Sequence, residues 1–155
     1  SKFDTSLKVF DLTAGFCKDA CSIANMGFQV TAYEKESWLF EFNKTCLSPL
    51  KKSNLNLINL NSIKALKKVT KKDILFLDPM FEINSRASAK KEIQFLRKCI
   101  SSSPEREILD AAKKSLAGVI IIKRHKLSNS QNLTKPSYVI KGKVISFEVF
   151  DRRAV

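Results

Sequence analysis

The chain has 155 residues, 44% of them hydrophobic and 28% charged, which suits one globular domain with a core of its own and excludes a disordered chain. No apolar run approaches the roughly 20 residues of a membrane span, and no signal-peptide pattern opens the sequence. The net charge of +13 attracts polyanions, nucleic acid first among them, although lysine far outnumbers arginine and a nucleotide-composition bias raises lysine without any binding role. The cysteines, Cys17, Cys21, Cys46 and Cys99, lack the paired spacing of a zinc framework and read as free thiols of a reducing cytosol. The expectation is a single cytoplasmic domain over residues 1–155, with no membrane partner and no metal.

In chain order, Lys8 to Ala14 reads as a first strand and Lys18 to Met26 as a helix that Gly27 stops. Phe28 to Glu34 is a second strand, and Ser37 is placed to cap a helix carrying Trp38, Leu39, Phe42 and Cys46. Leu55 to Leu60 is a third strand, followed by a short helix from Ser62 to Lys68. Ile74 to Asp78 is a fourth, apolar on consecutive positions as a strand covered on both faces must be. After a polar loop from Glu82 to Ala87, Ile93, Leu96 and Ile100 recur at helical spacing. Ser103-Pro104-Glu105 starts another helix, which carries Ile108, Ala112 and Leu116 and stops at Gly118. Val119 to Ile122 is a fifth strand. Beyond a polar loop, Tyr138–Ile140 and Ile145–Val149 flank Lys141-Gly142-Lys143 and read as a closing antiparallel hairpin. Five strand–helix alternations followed by a hairpin predict an α/β fold: a mostly parallel seven-stranded sheet with helices on both faces.

In such a sheet ligands bind at the carboxyl ends of the strands. Strand one runs into Asp11-Leu12-Thr13-Ala14-Gly15, where Gly15 lets the backbone turn tightly against a ligand; the further glycines of the dinucleotide fingerprint are missing, which disfavours a nicotinamide enzyme. Strand two ends in Glu34-Lys35, an acid placed to accept hydrogen bonds from ribose hydroxyls. Strand three ends in Asn61-Ser62, which can bond an adenine edge, while Ser62 can equally cap the next helix.

Strand four ends in Asp78-Pro79-Met80-Phe81, the most specific pattern in the chain. An exocyclic amine is a poor nucleophile because its lone pair is delocalised into the ring. Two acceptors, the Asp78 carboxylate and the Pro79 carbonyl, can hold its hydrogens and aim the lone pair at a methyl donor, and Phe81 can stack on the base. Strand five ends in Lys123-Arg124-His125-Lys126, a basic cluster placed to hold RNA phosphates.

Taken together and in order, these motifs resemble the RsmJ family of 16S ribosomal RNA guanine-N2 methyltransferases. The match covers Asp11–Gly15 with Lys18-Asp19-Ala20, Glu34-Lys35, Asn61-Ser62 with Ala65-Leu66, Leu77–Phe81, Lys90-Lys91-Glu92, Lys123-Arg124 and Lys141-Gly142. The resemblance implies a Rossmann-like class I methyltransferase with S-adenosylmethionine as cofactor. Asp11, Gly15, Lys18, Asp19, Glu34, Lys35, Asn61, Ser62 and Asp78 would contact the cofactor. Asp78, Pro79 and Phe81 would serve catalysis, and ribosomal RNA or the small ribosomal subunit would be the partner. Cys17 stands where the family has glycine, Lys18 replaces arginine, and Glu82 and His125 replace prolines. Family members also carry a segment before strand one, where only a few residues precede it here. Two other readings stay open: a non-catalytic RNA-binding relative, and an amine methyltransferase acting on adenine or cytosine of another nucleic acid.

Overall fold

A computed structural model describes residues 4–79, 105–125 and 135–153. The helix expected around Ile93–Ile100, its flanking loops, the Ser103-Pro104 start signal, and the side chains of Met80, Phe81, Glu82, Cys99 and Lys126 lie outside these residues.

The described chain forms a seven-stranded sheet in the order β3-β2-β1-β4-β5-β7-β6. Its strands are β1 (Lys8–Asp11), β2 (Gln29–Glu34), β3 (Leu55–Asn59), β4 (Ile74–Leu77), β5 (Val119–His125), β6 (Tyr138–Lys141) and β7 (Ile145–Asp151). The first five pair in parallel, while β7 runs antiparallel to both β5 and β6. The helices are α1 (Lys18–Asn25), α2 (Ser37–Leu47), α3 (Ser62–Ala65) and α4 (Glu105–Lys114). Short 3-10 turns follow α2 and α3.

The alternation of β4 shows why its apolar residues are consecutive. Ile74 and Phe76 join a core with Val9, Val30 and Ala32 from the neighbouring strands and Ala20 and Ala24 of α1. Leu75 and Leu77 join a second core with Ile120, Ile122, Ala65 of α3 and Ala112 of α4. Helices therefore cover both faces, and a central strand has no polar side to show. Among the described residues no helix is long and apolar enough to cross a membrane.

Several boundaries differ from the sequence expectation for physical reasons. Strand β1 ends at Asp11 because the next residues peel off into the ligand-side turn. Gly27 does stop α1, at φ 95°. Ser37 is the first helical residue of α2, not its cap; Glu36 takes that position, and the Ser37 hydroxyl donates to Asn59 Oδ1 at 3.0 Å. The cap of α3 is Asn61, whose Oδ1 accepts from the Ile63 amide at 3.1 Å, while Ser62 is buried inside the helix. On α2 the buried face is Leu39 and Asn43, leaving Trp38 40% and Phe42 51% exposed.

Strand β5 continues through the basic run, because β7 supplies a partner as far as the His125–Ile145 pair. The continuing pleat separates the charges. Arg124 falls on the buried side, 5% exposed, and donates through Nε to Glu148 of β7 at 3.1 Å. Glu148 is buried too, on a strand that lies inside the sheet between β5 and β6.

Candidate active site

Strand order reverses at β1, which has β2 on one side and β4 on the other, so the crevice lies above the carboxyl ends of β1, β2 and β4. The turn after β1 forms its floor. Asp11 is 1% exposed, and its Oδ1 accepts from the Thr13 amide at 3.0 Å. Burial pushes its carboxyl up to about 7; the Thr13 amide opposes the rise, the Asp19 and Asp78 carboxylates add to it, and Lys123 opposes it in turn. Asp11 therefore sits beneath the turn and shapes it.

Two residues of the turn are left-handed: Gly15 at φ 50° and Cys17 at φ 57°. Cys17 heads α1, with its amide donating to the Ala14 carbonyl at 2.7 Å and its carbonyl accepting from the Cys21 amide at 2.9 Å. Such a position favours glycine, and here a thiol 1% exposed packs into the core beneath. Burial, with Asp11 next, pushes that thiol up to about 12, so it is an inert packing group and not a nucleophile.

The turn is pinned from two sides by residues that sequence reasoning passed over. Asn43 of α2, 2% exposed, donates through Nδ2 to the Gly15 carbonyl at 2.6 Å. The Thr13 hydroxyl accepts from the Asp78 amide at 2.7 Å, tying the β1 turn to the Asp-Pro motif after β4. The available signals were a polar residue one helical turn after Leu39, and a hydroxyl inside the Asp11–Gly15 motif.

Glu34 ends β2 at 7% exposed, and its Oε1 accepts from the Glu36 amide at 2.9 Å. Burial raises its carboxyl above the usual carboxylate range, against the amides of Glu36, Gly15 and Lys35. The Gly15 amide places this carboxylate beside the glycine turn. Lys35 is half-buried and lies 3.7 Å from Glu36 in an ion pair. Asn61 and Ser62 stand at the next strand end, with Asn61 engaged as a cap. Lys18 is exposed at the start of α1.

On the other side of the crevice three charges meet. Lys123 Nζ lies 2.7 Å from Asp19 Oδ2 and 2.9 Å from Asp78 Oδ2. Burial and the Asp19 carboxylate raise Asp78 above its ordinary range, although Lys123 opposes the rise. Burial draws Lys123 down, but its bonds to Asp19 and Asp78 outweigh this and leave it raised. Pro79 is buried next to Asp78. The basic run is thus divided: Lys123 faces the crevice, Arg124 is inside the sheet with Glu148, and His125 is half-exposed at the end of β5. Arg124 is not presented to a phosphate, because the strand continues past Ile122 and turns it inward.

The sheet order, the closing antiparallel hairpin and the crevice over the β1 turn define a Rossmann-like class I methyltransferase fold. Residues 1–152 match the family described as putative SAM-dependent methyltransferase. The chain belongs to that family, and its relatives bear out the RsmJ-family resemblance. The ribosomal RNA small subunit methyltransferase J of Coxiella burnetii is 29% identical over 151 residues, covering 92% of this chain and 59% of that protein. The protein of the same name from Neisseria meningitidis serogroup B is 27% identical over 156 residues, covering 92% of this chain and 62% of its own length. The chain therefore spans about three fifths of these curated relatives. Among solved structures, a SAM-dependent methyltransferase from Neisseria gonorrhoeae superposes with a TM-score of 0.69 at 24% identity, covering 96% of this chain and 66% of that one. A putative methylase from Haemophilus influenzae gives 0.63 at 17% identity, covering 97% and 89%. At these identities the two structures speak for the fold alone.

The groups lining the crevice fit the cofactor of this family. Glu34, a carboxylate beside a left-handed glycine turn, suits the paired hydroxyls of a ribose. The methionine end of S-adenosylmethionine carries an ammonium and a carboxylate; Asp19 in the first turn of α1 suits the first, and Lys18, exposed at the start of that helix, suits the second.

Proposed function

We propose that the chain binds S-adenosylmethionine in this crevice and methylates the exocyclic N2 amine of a guanosine in small-subunit ribosomal RNA. The observation that carries the reading is the Asp78-Pro79 motif, tied through the Asp78 amide to Thr13 in the glycine turn at 2.7 Å. That bond sets the acceptor residue beside the cofactor turn. The names of the curated relatives support small-subunit RNA as the substrate, and the motif order supports guanine N2.

When bound, S-adenosylmethionine would supply an electrophilic methyl group to the amine nitrogen, the electron pair of its carbon–sulfur bond staying on sulfur. Glu34 would hold the ribose, with Lys18, Lys35, Asn61 and Ser62 as the further cofactor contacts that the motif order implies. The Asp78 carboxylate accepts one amine hydrogen and the Pro79 carbonyl the other, which directs the nitrogen lone pair at the methyl carbon. Asp78 then takes the surplus N–H proton and passes it to solvent. Phe81 stacks on the guanine. His125 and Lys126, the last two residues of the basic run, would contact RNA phosphates.

Small-subunit RNA incubated with the chain and S-adenosylmethionine, then digested to nucleosides, should yield N2-methylguanosine. Asp78→Ala should bind S-adenosylhomocysteine within a few-fold of the parent and lose at least about a hundredfold in turnover. Full activity in that variant, or methylated adenosine or cytidine as the product, would contradict the assignment.

A further inference from the structure

The strand-end basic run reads from sequence as a phosphate contact, yet Lys123 is turned into the crevice with its side chain only 20% exposed. Its ammonium bridges two carboxylates from two other elements: Asp19 in the first turn of α1 and Asp78 just beyond β4. The bridge joins the end of the crevice that suits the methionine moiety to the residue that meets the acceptor amine. We propose that Lys123 is a positioning residue for methyl transfer, holding the Asp78 carboxylate ionised and in place for the amine while tying it to Asp19. The proposal rests on the methyltransferase reading of the same crevice.

The physical need for such a residue follows from the surrounding charges. Asp78 is partly buried, and the charged groups facing it are Asp19 from α1, Asp11 from the end of β1, and Lys123 from β5. Asp19 and Asp78 share that one ammonium, and the Asp11 carboxylate adds its repulsion from beneath the turn. Without that ammonium, burial and like-charge repulsion would favour a protonated Asp78, which offers its proton instead of accepting one from the amine. A phosphate contact would draw Lys123 away from both partners and leave two carboxylates facing each other.

The test is a carbon-13 NMR titration of the aspartate carboxyls in the whole chain, paired with the pH profile of methyl transfer. Lys123→Met should raise the Asp78 midpoint by about one pH unit or more and move the acidic limb of the rate profile upward with it. Lys123→Arg, which keeps the cation, should return the midpoint toward the parent value. Should Lys123→Met fail to fold, Asp19→Asn supplies the reciprocal reading: Lys123 is then no longer shared and the Asp78 midpoint should fall. An Asp78 midpoint unmoved by these substitutions overturns the proposal. So does a Lys123→Met chain whose only defect is weaker, less salt-dependent RNA binding. A shifted midpoint in a chain that methylates no small-subunit RNA overturns instead the function on which the proposal rests.

Discussion

Cys17 concentrates the trade between backbone and core at the head of α1. A non-glycine residue in the left-handed region costs roughly 1–2 kcal/mol, yet its buried thiol fills space that glycine would leave empty. Two substitutions separate these effects, because both remove the sulfur and only one removes the strain. Cys17→Gly should be more stable than Cys17→Ala by about 1 kcal/mol in urea unfolding. An alanine variant as stable as the glycine variant would mean that the backbone is not strained there. The sequence showed that cysteine replaced the family's glycine, but not why glycine belonged there; that depends on φ, which no residue pattern prints. Asp11 was legible as part of the motif, but its burial beneath the turn was not. Its carboxyl lies under the turn on the Thr13 amide, a local bond that a strand-end acid and a ligand-facing acid share in sequence.

At the scale of elements, α2 explains how a short glycine turn is held. Leu39 and Asn43 are one helical turn apart on the buried face, and the polar member of the pair reaches the Gly15 carbonyl. From sequence the helix carries Trp38, Leu39, Phe42 and Cys46 without a distinguished face, since hydrophobicity alone does not tell a core stripe from an exposed one; only the structure shows Trp38 and Phe42 exposed. Asn43→Leu keeps the volume of the side chain but leaves that carbonyl without its donor. The expected loss is about 1–3 kcal/mol in urea unfolding, with weaker S-adenosylhomocysteine affinity in calorimetry; parent-like values for both would show that the turn holds itself. Strand β5 teaches a similar lesson. Charge ended the apolar run at Ile122 and suggested the strand ended there too, but the pleat continues and its partner strand brings Glu148 to Arg124. A lone arginine in phase with Ile120 and Ile122, and a lone glutamate within β7, were the paired signals; neither is interpretable until the register between the two strands is known.

At the scale of the whole molecule, the layered α/β plan was legible because each strand and helix announced itself by period and the hairpin by its turn. The order β3-β2-β1-β4-β5-β7-β6 was not, since alternation alone does not say where the chain reverses. The reversal at β1 gathers Gly15, Glu34, Asp19 and Asp78, residues far apart in sequence, onto one edge. The charge of +13 identifies no single contact: the lysine closest to the chemistry, Lys123, is committed to two carboxylates. Whether this edge is a working cofactor site is decided by calorimetric titration of the purified chain with S-adenosylhomocysteine. A working site should bind one ligand with a micromolar dissociation constant, about −8 kcal/mol. No detectable heat from a folded chain at millimolar ligand would contradict it.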